Sequence, residues 1–290
     1  MAGVGSAWSF WKTLKEVSPN VIEEEAEAPF RLALTGEAGQ TARLRDVLLT
    51  AKATPGERLN ADEHLTVLAD PPDAETAKLF AFILYAGDAG ETIGARGPNS
   101  VPVVGLPDDV AAGMIAQRPD LAVALARRFP LFRVPASNRL INDTARVNAN
   151  FALLSALPGV IPVVGVLLPA SSVADTLLLT KNQIMLIMRL AAAHGQKPGY
   201  TRQIKELLGT IASALGWRTL ARELVGFVPA GIGAALKGTI AYSGTFALGR
   251  AALWYYQTGR VPSPREIREI YKNKMGDAKK EVAALRQEKK

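Results

Sequence analysis

Residues 31–49 read RLALTGEAGQTARLRDVLL, and this stretch decides the fold class. An apolar run, Phe30–Leu34, leads into the glycine-bearing turn Gly36-Glu37-Ala38-Gly39 and then into a helical pattern over Thr41–Thr50. A short apolar run bounded by turn residues and followed by a helix is how a parallel sheet begins. Outward from it the alternation continues. Leu65–Ala69, Leu79–Tyr85, Val101–Val104 and Phe132–Pro135 are further strand candidates, and Pro107–Arg128 is a second long helix with a weaker one before it. Strands alternating with helices predict an α/β domain over residues 30–140, whose ligand position is the set of loops after the strand carboxyl ends.

The same stretch resembles the first strand, phosphate loop and first helix of an Era-like small GTPase. Such a loop needs G-x-x-x-x-G-K-[ST], in which backbone amides wrap the phosphates, the Lys neutralises them and the hydroxyl holds magnesium. With Gly36 as the first glycine, Thr41 stands in place of the second, Ala42 in place of the lysine and Arg43 in place of the hydroxyl. Gly36, Gly39 and Thr41 are therefore the residues that would cradle a nucleotide, GTP or GDP, if one binds. The later motifs are degraded too. Asp70-Pro71-Pro72-Asp73 replaces D-x-x-G, and Gly105-Leu106-Pro107-Asp108 replaces N-K-x-D, leaving Asp70 and Asp108 as turn or cap residues. FRVPASN, residues 132–138, is similar to the strand and Ser-Ala turn that backs the guanine base. The resemblance implies a pseudo-GTPase: the topology without the signatures, no catalytic residue, and no cofactor expected.

From residue 141 the pattern is helical. Asn150–Ala174 holds no charge, a length at which a membrane span is usual, yet Pro158, Pro162 and Pro169 break it. That predicts a re-entrant hairpin or a kinked connection buried in protein. Ser172-Val173-Ala174-Asp175 opens a helix running to His194 and stopped by Gly195. On it Asp175, Lys181, Asn182, Gln183 and Arg189 interrupt an otherwise apolar surface. They form either a polar face toward a partner, a lipid head group or the broken apolar segment, or a buried network that fixes helix register. Tyr200–Leu215 and Trp217–Val228 predict two more helices, with Arg218, Arg222 and Glu223 as phosphate contacts or surface pairs. Pro229–Tyr256 is rich in glycine, Lys237 is the only charge between Leu224 and Gly249, and a polar, basic C-terminal helix over 263–290 reads as an exposed tail.

The phrases NANFALLSALPGVIPVVG, DTLLLTKNQIMLIMRLAAAHG, LGWRTLARELVGFVPAGIG and ALKGTIAYSGTFALGRAALWYYQTG are similar to the YcjF-like domain, a bacterial family of unknown function often joined to Era-like GTPase domains. The likeness covers residues 145–275 and implies membrane association. The fold class is thus α/β plus all-α, organised as an N-terminal segment and acidic linker over 1–29, the α/β domain over 30–140, a helical domain over 141–262 and the tail.

Composition narrows the chemistry. Of 290 residues 48% are apolar and none is cysteine, which removes disulfides, thiolate metal sites and cysteine nucleophiles. The two histidines, His64 and His194, are far apart in sequence, so no metal site is expected, and His194 closes a helix where a cation suits the dipole. Residues 141–290 carry 20 Lys and Arg against 9 Asp and Glu, a net of +11, whereas the front segments are net acidic. Basic and apolar character in one half points to an anionic membrane surface or bilayer, on the cytoplasmic face of the inner membrane or in the cytoplasm, and away from nucleic acid. Trp8, Phe10 and Trp11 beside Lys12 and Lys15 suit an interfacial helix or a staple onto the chain's own core. Three functions follow: a non-catalytic membrane-associated scaffold or adaptor, an atypical nucleotide hydrolase with a remodelled loop, or a soluble protein-binding module with a glycine-rich oligomer interface.

Overall fold

The computed structural model describes residues 20–51, 53–85, 99–103, 107–155, 170–196, 234–260 and 262–287. It divides into two compact units, one comprising Glu23–Arg139 with Ala192–Lys197, the other Leu140–Ala191 with the described residues before Glu23 and from 234 onward.

The first unit is built on four parallel strands, β1 (Leu32–Thr35), β2 (Leu65–Leu68), β3 (Phe82–Tyr85) and β4 (Ser100–Pro102), in the order β2-β1-β3-β4. The chain turns one way from β1 to β2 and the other way to β3. Such a reversal opens a crevice at the carboxyl ends of β1 and β3, where ligands of α/β sheets sit. Two-residue periodicity sends alternate side chains to opposite faces. Leu32, Leu34, Phe82, Leu84 and Val101 form the larger core with Leu44 and Leu48 of α2 (Ala38–Leu49) and Met114 and Ile115 of α5 (Pro107–Gln117). Ala33, Ile83 and Tyr85 point the other way, onto Phe80 and Ala77. Each fully buried Leu or Phe is worth about 1.5–3 kcal/mol.

Local chemistry sets the shorter elements. Pro55 and the Thr54/Glu57 capping box start α3 (Pro55–Asp62), with Thr54 N donating to Glu57 Oε2 at 2.8 Å and Glu57 N to Thr54 Oγ1 at 3.2 Å. Asp73 caps α4 (Ala74–Ala77) by accepting Thr76 N at 2.7 Å. The long helix predicted over Pro107–Arg128 is interrupted: α5 stops at Gln117, Pro119–Leu121 form a 3-10 turn, and α6 covers Ala122–Arg128. Pro119 lacks the donor a continuing helix needs, and it holds Arg118 out of helical geometry at φ −128°, ψ 70°.

Three further expectations are corrected. The strand at Phe132–Pro135 is absent; Pro130–Phe132 is a 3-10 turn and α7 (Arg133–Leu154) begins at the next residue, with Pro135 in the first helical turn where its missing N–H costs nothing. Phe132 is instead a core plug, edge-on to Phe129 at 6.3 Å. The acidic run Glu23–Glu27 is not a solvated linker: Asn20–Ala26 is helix α1, Ile22 and Ala26 are fully buried, and Glu27 pairs with Arg127 at 3.1 Å and with Arg128. Nor is the C-terminal helix a free tail.

That helix, α10 (Pro264–Gln287), buries Ile267, Ala278, Val282 and Leu285 and packs along α9 (Ala234–Thr258). Its start is a reciprocal cap, with Ser263 N donating to Glu266 Oε2 at 2.6 Å and Glu266 N to Ser263 Oγ at 3.3 Å. With α7 from Leu140 and α8 (Ala170–Ala193) as far as Ala191, these helices are the described part of the second unit from residue 140 onward. Four consecutive residues of α9, Tyr242 to Thr245, are buried. One turn takes 3.6 residues, so this turn of α9 is enclosed by protein on every side. Its glycines permit this: a Cβ on Gly238 would lie 2.9 Å from Leu153 Cγ, and one on Gly249 would lie 2.7 Å from Ile141 Cγ1. Among the described residues no helix is long and apolar enough to cross a membrane. Ala156–Pro169 of the broken apolar segment and both helices predicted between 200 and 228 lie outside the described residues.

Candidate functional site

The crevice after β1 is where a sheet of this strand order holds a ligand. Only Gly36 and Glu37 separate β1 from α2. Gly36 takes φ 140°, which a side chain disfavours, and Glu37 is the extended N-cap residue at φ −62°, ψ 147°. A phosphate loop has four residues between its glycines, whose amides curl around the phosphates; here the helix has already begun at the third position. Gly39 lies on the first helical turn with open space where a Cβ would be. Thr41 is 3% exposed, and its hydroxyl donates to the carbonyls of Glu37 at 3.2 Å and Ala38 at 3.1 Å. That hydroxyl is occupied by its own helix. Glu37 places an exposed carboxylate at the helix N-terminus, the position whose partial positive charge a phosphate would use.

The other motif positions of this unit are peripheral. Asp70 is exposed; Asp108 is exposed in the first turn of α5 beside Asp109. Asp73, a little further along the chain than Asp70, is the aspartate that caps α4, and the Thr76 amide holds its carboxyl below the usual carboxylate range. His64 stacks on Phe30 at 4.7 Å with its Nδ1 3.1 Å from the Phe30 carbonyl oxygen, a wedge at the start of β2.

His194 does not act as the cation at the end of α8. Burial, with Arg133 nearby, lowers it to about 4, so it is neutral at pH 7. Desolvation outweighs the helix dipole here. Arg127 takes that role instead, donating to the carbonyls of Ala192 at 3.4 Å and Gln196 at 2.7 Å. Ser137 Oγ lies 3.3 Å from His194 Nε2, but Ser137 is fully buried, so its hydroxyl is not exposed to act as a nucleophile. Glu57 is committed to Arg133; burial raises its carboxyl, and the hydrogen bonds from Arg133 and Thr54 outweigh that and hold it below its usual range. A cavity of about 320 Å³ lies against Glu57, Asn60, Arg127, Arg128 and His194. Its two arginines share a single carboxylate, Glu27, and Arg127 also donates to backbone carbonyls, so both guanidinium groups are already engaged while one positive charge stays uncompensated by that acid.

A wider, open groove of about 800 Å³ runs between Asp46, Thr50, Arg58, Asp108 and Leu131. Arg58 spans it, 3.5 Å from Asp46 and 3.4 Å from the Thr50 carbonyl. Thr50 itself sits at φ 57°, ψ 162°, a region otherwise kept for glycine that costs a β-branched residue about 1–3 kcal/mol.

In the helical unit the predicted polar face separates into an inside and an outside. Asn182 Nδ2 donates to Asn148 Oδ1 at 2.8 Å; Asn148 Nδ2 donates to Thr245 Oγ1 at 2.9 Å; Gln183 Nε2 donates to the same oxygen at 3.3 Å. Asn148 and Thr245 are fully buried and Gln183 is 6% exposed. The network therefore ties α7, α8 and α9 together through amides and one hydroxyl. Lys181 is exposed, and Arg189 and Lys237 are half-buried. The Asp175 side chain, with Trp8, Phe10, Trp11, Arg218, Arg222 and Glu223, lies outside the described residues. Asn148 and Thr245 were not legible as a pair, being 97 residues apart. The available signal was an asparagine in mid-helix, where it gains nothing unless its amide is bonded.

Among the described residues no three His, Asp or Glu side chains stand close enough to hold a metal ion. Comparison of the chain with protein-family models, curated proteins and solved structures found no match.

Proposed function

We propose that this chain is a non-catalytic scaffold or adaptor, associated with the cytoplasmic face of a bacterial inner membrane, in which a degenerate Era-like GTPase domain is joined to a YcjF-like helical domain. What supports the non-catalytic part is the turn after β1. Two residues replace the phosphate loop, the Thr41 hydroxyl bonds the carbonyls behind it, and Glu37 puts a negative charge where the nucleotide's own would go. The alternative of a soluble module with a glycine-rich oligomer interface is weakened by Gly238 and Gly249, whose bare faces meet Leu153 and Ile141 of the same chain. The membrane part draws on the +11 charge of residues 141–290.

Calorimetry with GTP, GDP and ATP at millimolar concentration, with a phosphate-release assay, tests the first part. No heat of binding and no turnover above background is the expected result. Turnover that disappears in Thr41→Ala would overturn it in favour of a hydrolase. Fractionation of cells with salt and then alkaline carbonate tests the second; a chain found wholly in the supernatant before either wash ends the membrane reading.

A further inference from the structure

We infer that the outward face of α10 is an electrostatic docking surface for an anionic lipid bilayer. At 100° per residue, Arg265, Arg268, Lys272, Lys279 and Arg286 fall within a sector of about 60°. All five are exposed. They line up over about 30 Å of a single helix. The helix's four acids, Glu266, Glu269, Asp277 and Glu281, fall outside the sector. Two of them are spent elsewhere, Glu281 on Arg146 at 2.8 Å and Glu266 on Arg260 at 3.0 Å, so they do not neutralise the row. Glu269 pairs with Arg265, at 3.1 Å. Lys272, Lys279 and Arg286 make no ion pair among the described residues.

The opposite side of the same helix explains why the row keeps its shape. Ile267, Ala278, Val282 and Leu285 are buried, and Lys274 is drawn inward over the Phe246 ring at 4.6 Å. Rotation of α10 is therefore fixed by packing, and the charge pattern is presented as a rigid, straight edge. A straight row suits a flat charged plane. A single-stranded nucleic acid would favour a groove with aromatic side chains for its bases to stack on, and no aromatic side chain falls in this sector. Each cation brought to an anionic leaflet strengthens binding about fivefold, and the effect fades as salt shortens the screening length.

This inference rests on the membrane-associated reading, and the test separates the two. The full chain is mixed with vesicles of phosphatidylcholine alone or of phosphatidylcholine with phosphatidylglycerol, and binding is read by co-sedimentation in low and high salt. The expected result is binding to the anionic vesicles only, lost in high salt, and about 25-fold weaker in Lys272→Gln/Lys279→Gln. The charge-matched Arg31→Gln/Lys78→Gln, on the other unit, is expected to bind as the wild type, and circular dichroism checks that both variants stay folded. Equal binding of wild type and Lys272→Gln/Lys279→Gln overturns the α10 surface while leaving membrane association standing. Binding to neither vesicle overturns both. Binding to duplex DNA or RNA in place of vesicles, weakened by the same pair, reassigns the row to nucleic acid.

Discussion

Gly249→Ala, set against Gly276→Ala, isolates the packing on which the helical unit depends. Both glycines are inside long helices, so alanine gives each the same intrinsic gain, about 0.8–1.0 kcal/mol. Their surroundings differ. A Cβ on Gly276 meets nothing within 4 Å, whereas one on Gly249 lies 2.7 Å and 3.1 Å from Ile141 Cγ1 and Cγ2 and 3.1 Å from Leu186 Cδ2. Ile141 is β-branched and enclosed in a helix, so its γ carbons have almost no rotamer to retreat into. Either the side chain leaves its rotamer or α7 and α9 move apart, at about 1–3 kcal/mol. Gly276→Ala should therefore stabilise by about 1 kcal/mol, and Gly249→Ala should fall about 1–3 kcal/mol below it because the propensity gain cancels in the comparison. For a protein of this size 1 kcal/mol is about 2–4 °C in Tm. Urea and thermal unfolding followed by far-ultraviolet dichroism read both variants. If Gly249→Ala stabilises as much as Gly276→Ala, the close approach of α7 and α9 is wrong. Ile141→Ala gives a second route: combined with Gly249→Ala it should cost less than the two changes summed, because each makes room for the other.

Thr245→Val keeps the shape but removes the shared acceptor of Asn148 and Gln183. Two buried amide donors left unpaired should cost about 2–4 kcal/mol in urea unfolding, and a loss below about 0.5 kcal/mol would mean that the network is not formed. His194 should make the first unit acid-sensitive. It titrates at about 4 when folded against an ordinary value of 6.5, so the unfolded chain takes up the proton first as pH falls. Stability from this group is complete above about pH 6.5, declines as pH drops toward 4 and is lost below it, a total of about 3 kcal/mol. His194→Gln should flatten that slope, and an NMR titration placing the ring near 6.5 would remove the reason for it.

How much of this was legible in the sequence depends on the range of the interactions. β1 and α2 were readable because strand, turn and helix follow one another within residues 32–49, and propensity and burial agree there. The cap at Ser263 and the stop at Gly195, which takes φ 83°, were readable for the same local reason. The acid run at 23–27 misled because Glu, Glu, Glu is solvated on one helical face whatever the other face does, and Ile22 and Ala26, one turn apart, carry the burial. Phe132 looked like strand because it is a large apolar residue among apolar neighbours; only the prolines at 130 and 135 argue otherwise. Within the site, Lys181 and Gln183 are two residues apart in sequence yet one is exposed and the other buried. Composition places both on the helix, and only the positions of α7 and α9 decide which of them faces inward.

The amide and hydroxyl cluster around Asn148 constrains how this chain can diverge. A polar atom sealed in a glycine- and alanine-rich bundle is tolerable only while each partner persists, and swapping all partners for apolar groups of similar shape is nearly neutral. Single exchanges at Asn148, Gln183 or Thr245 are therefore penalised, while concerted ones are not. Lineages descended from a common ancestor should carry these three positions as a set, all polar or all apolar, even where the surrounding leucines and alanines drift freely. Covariation of residues 97 and 62 apart in sequence would then be the genealogical trace of a contact between helices.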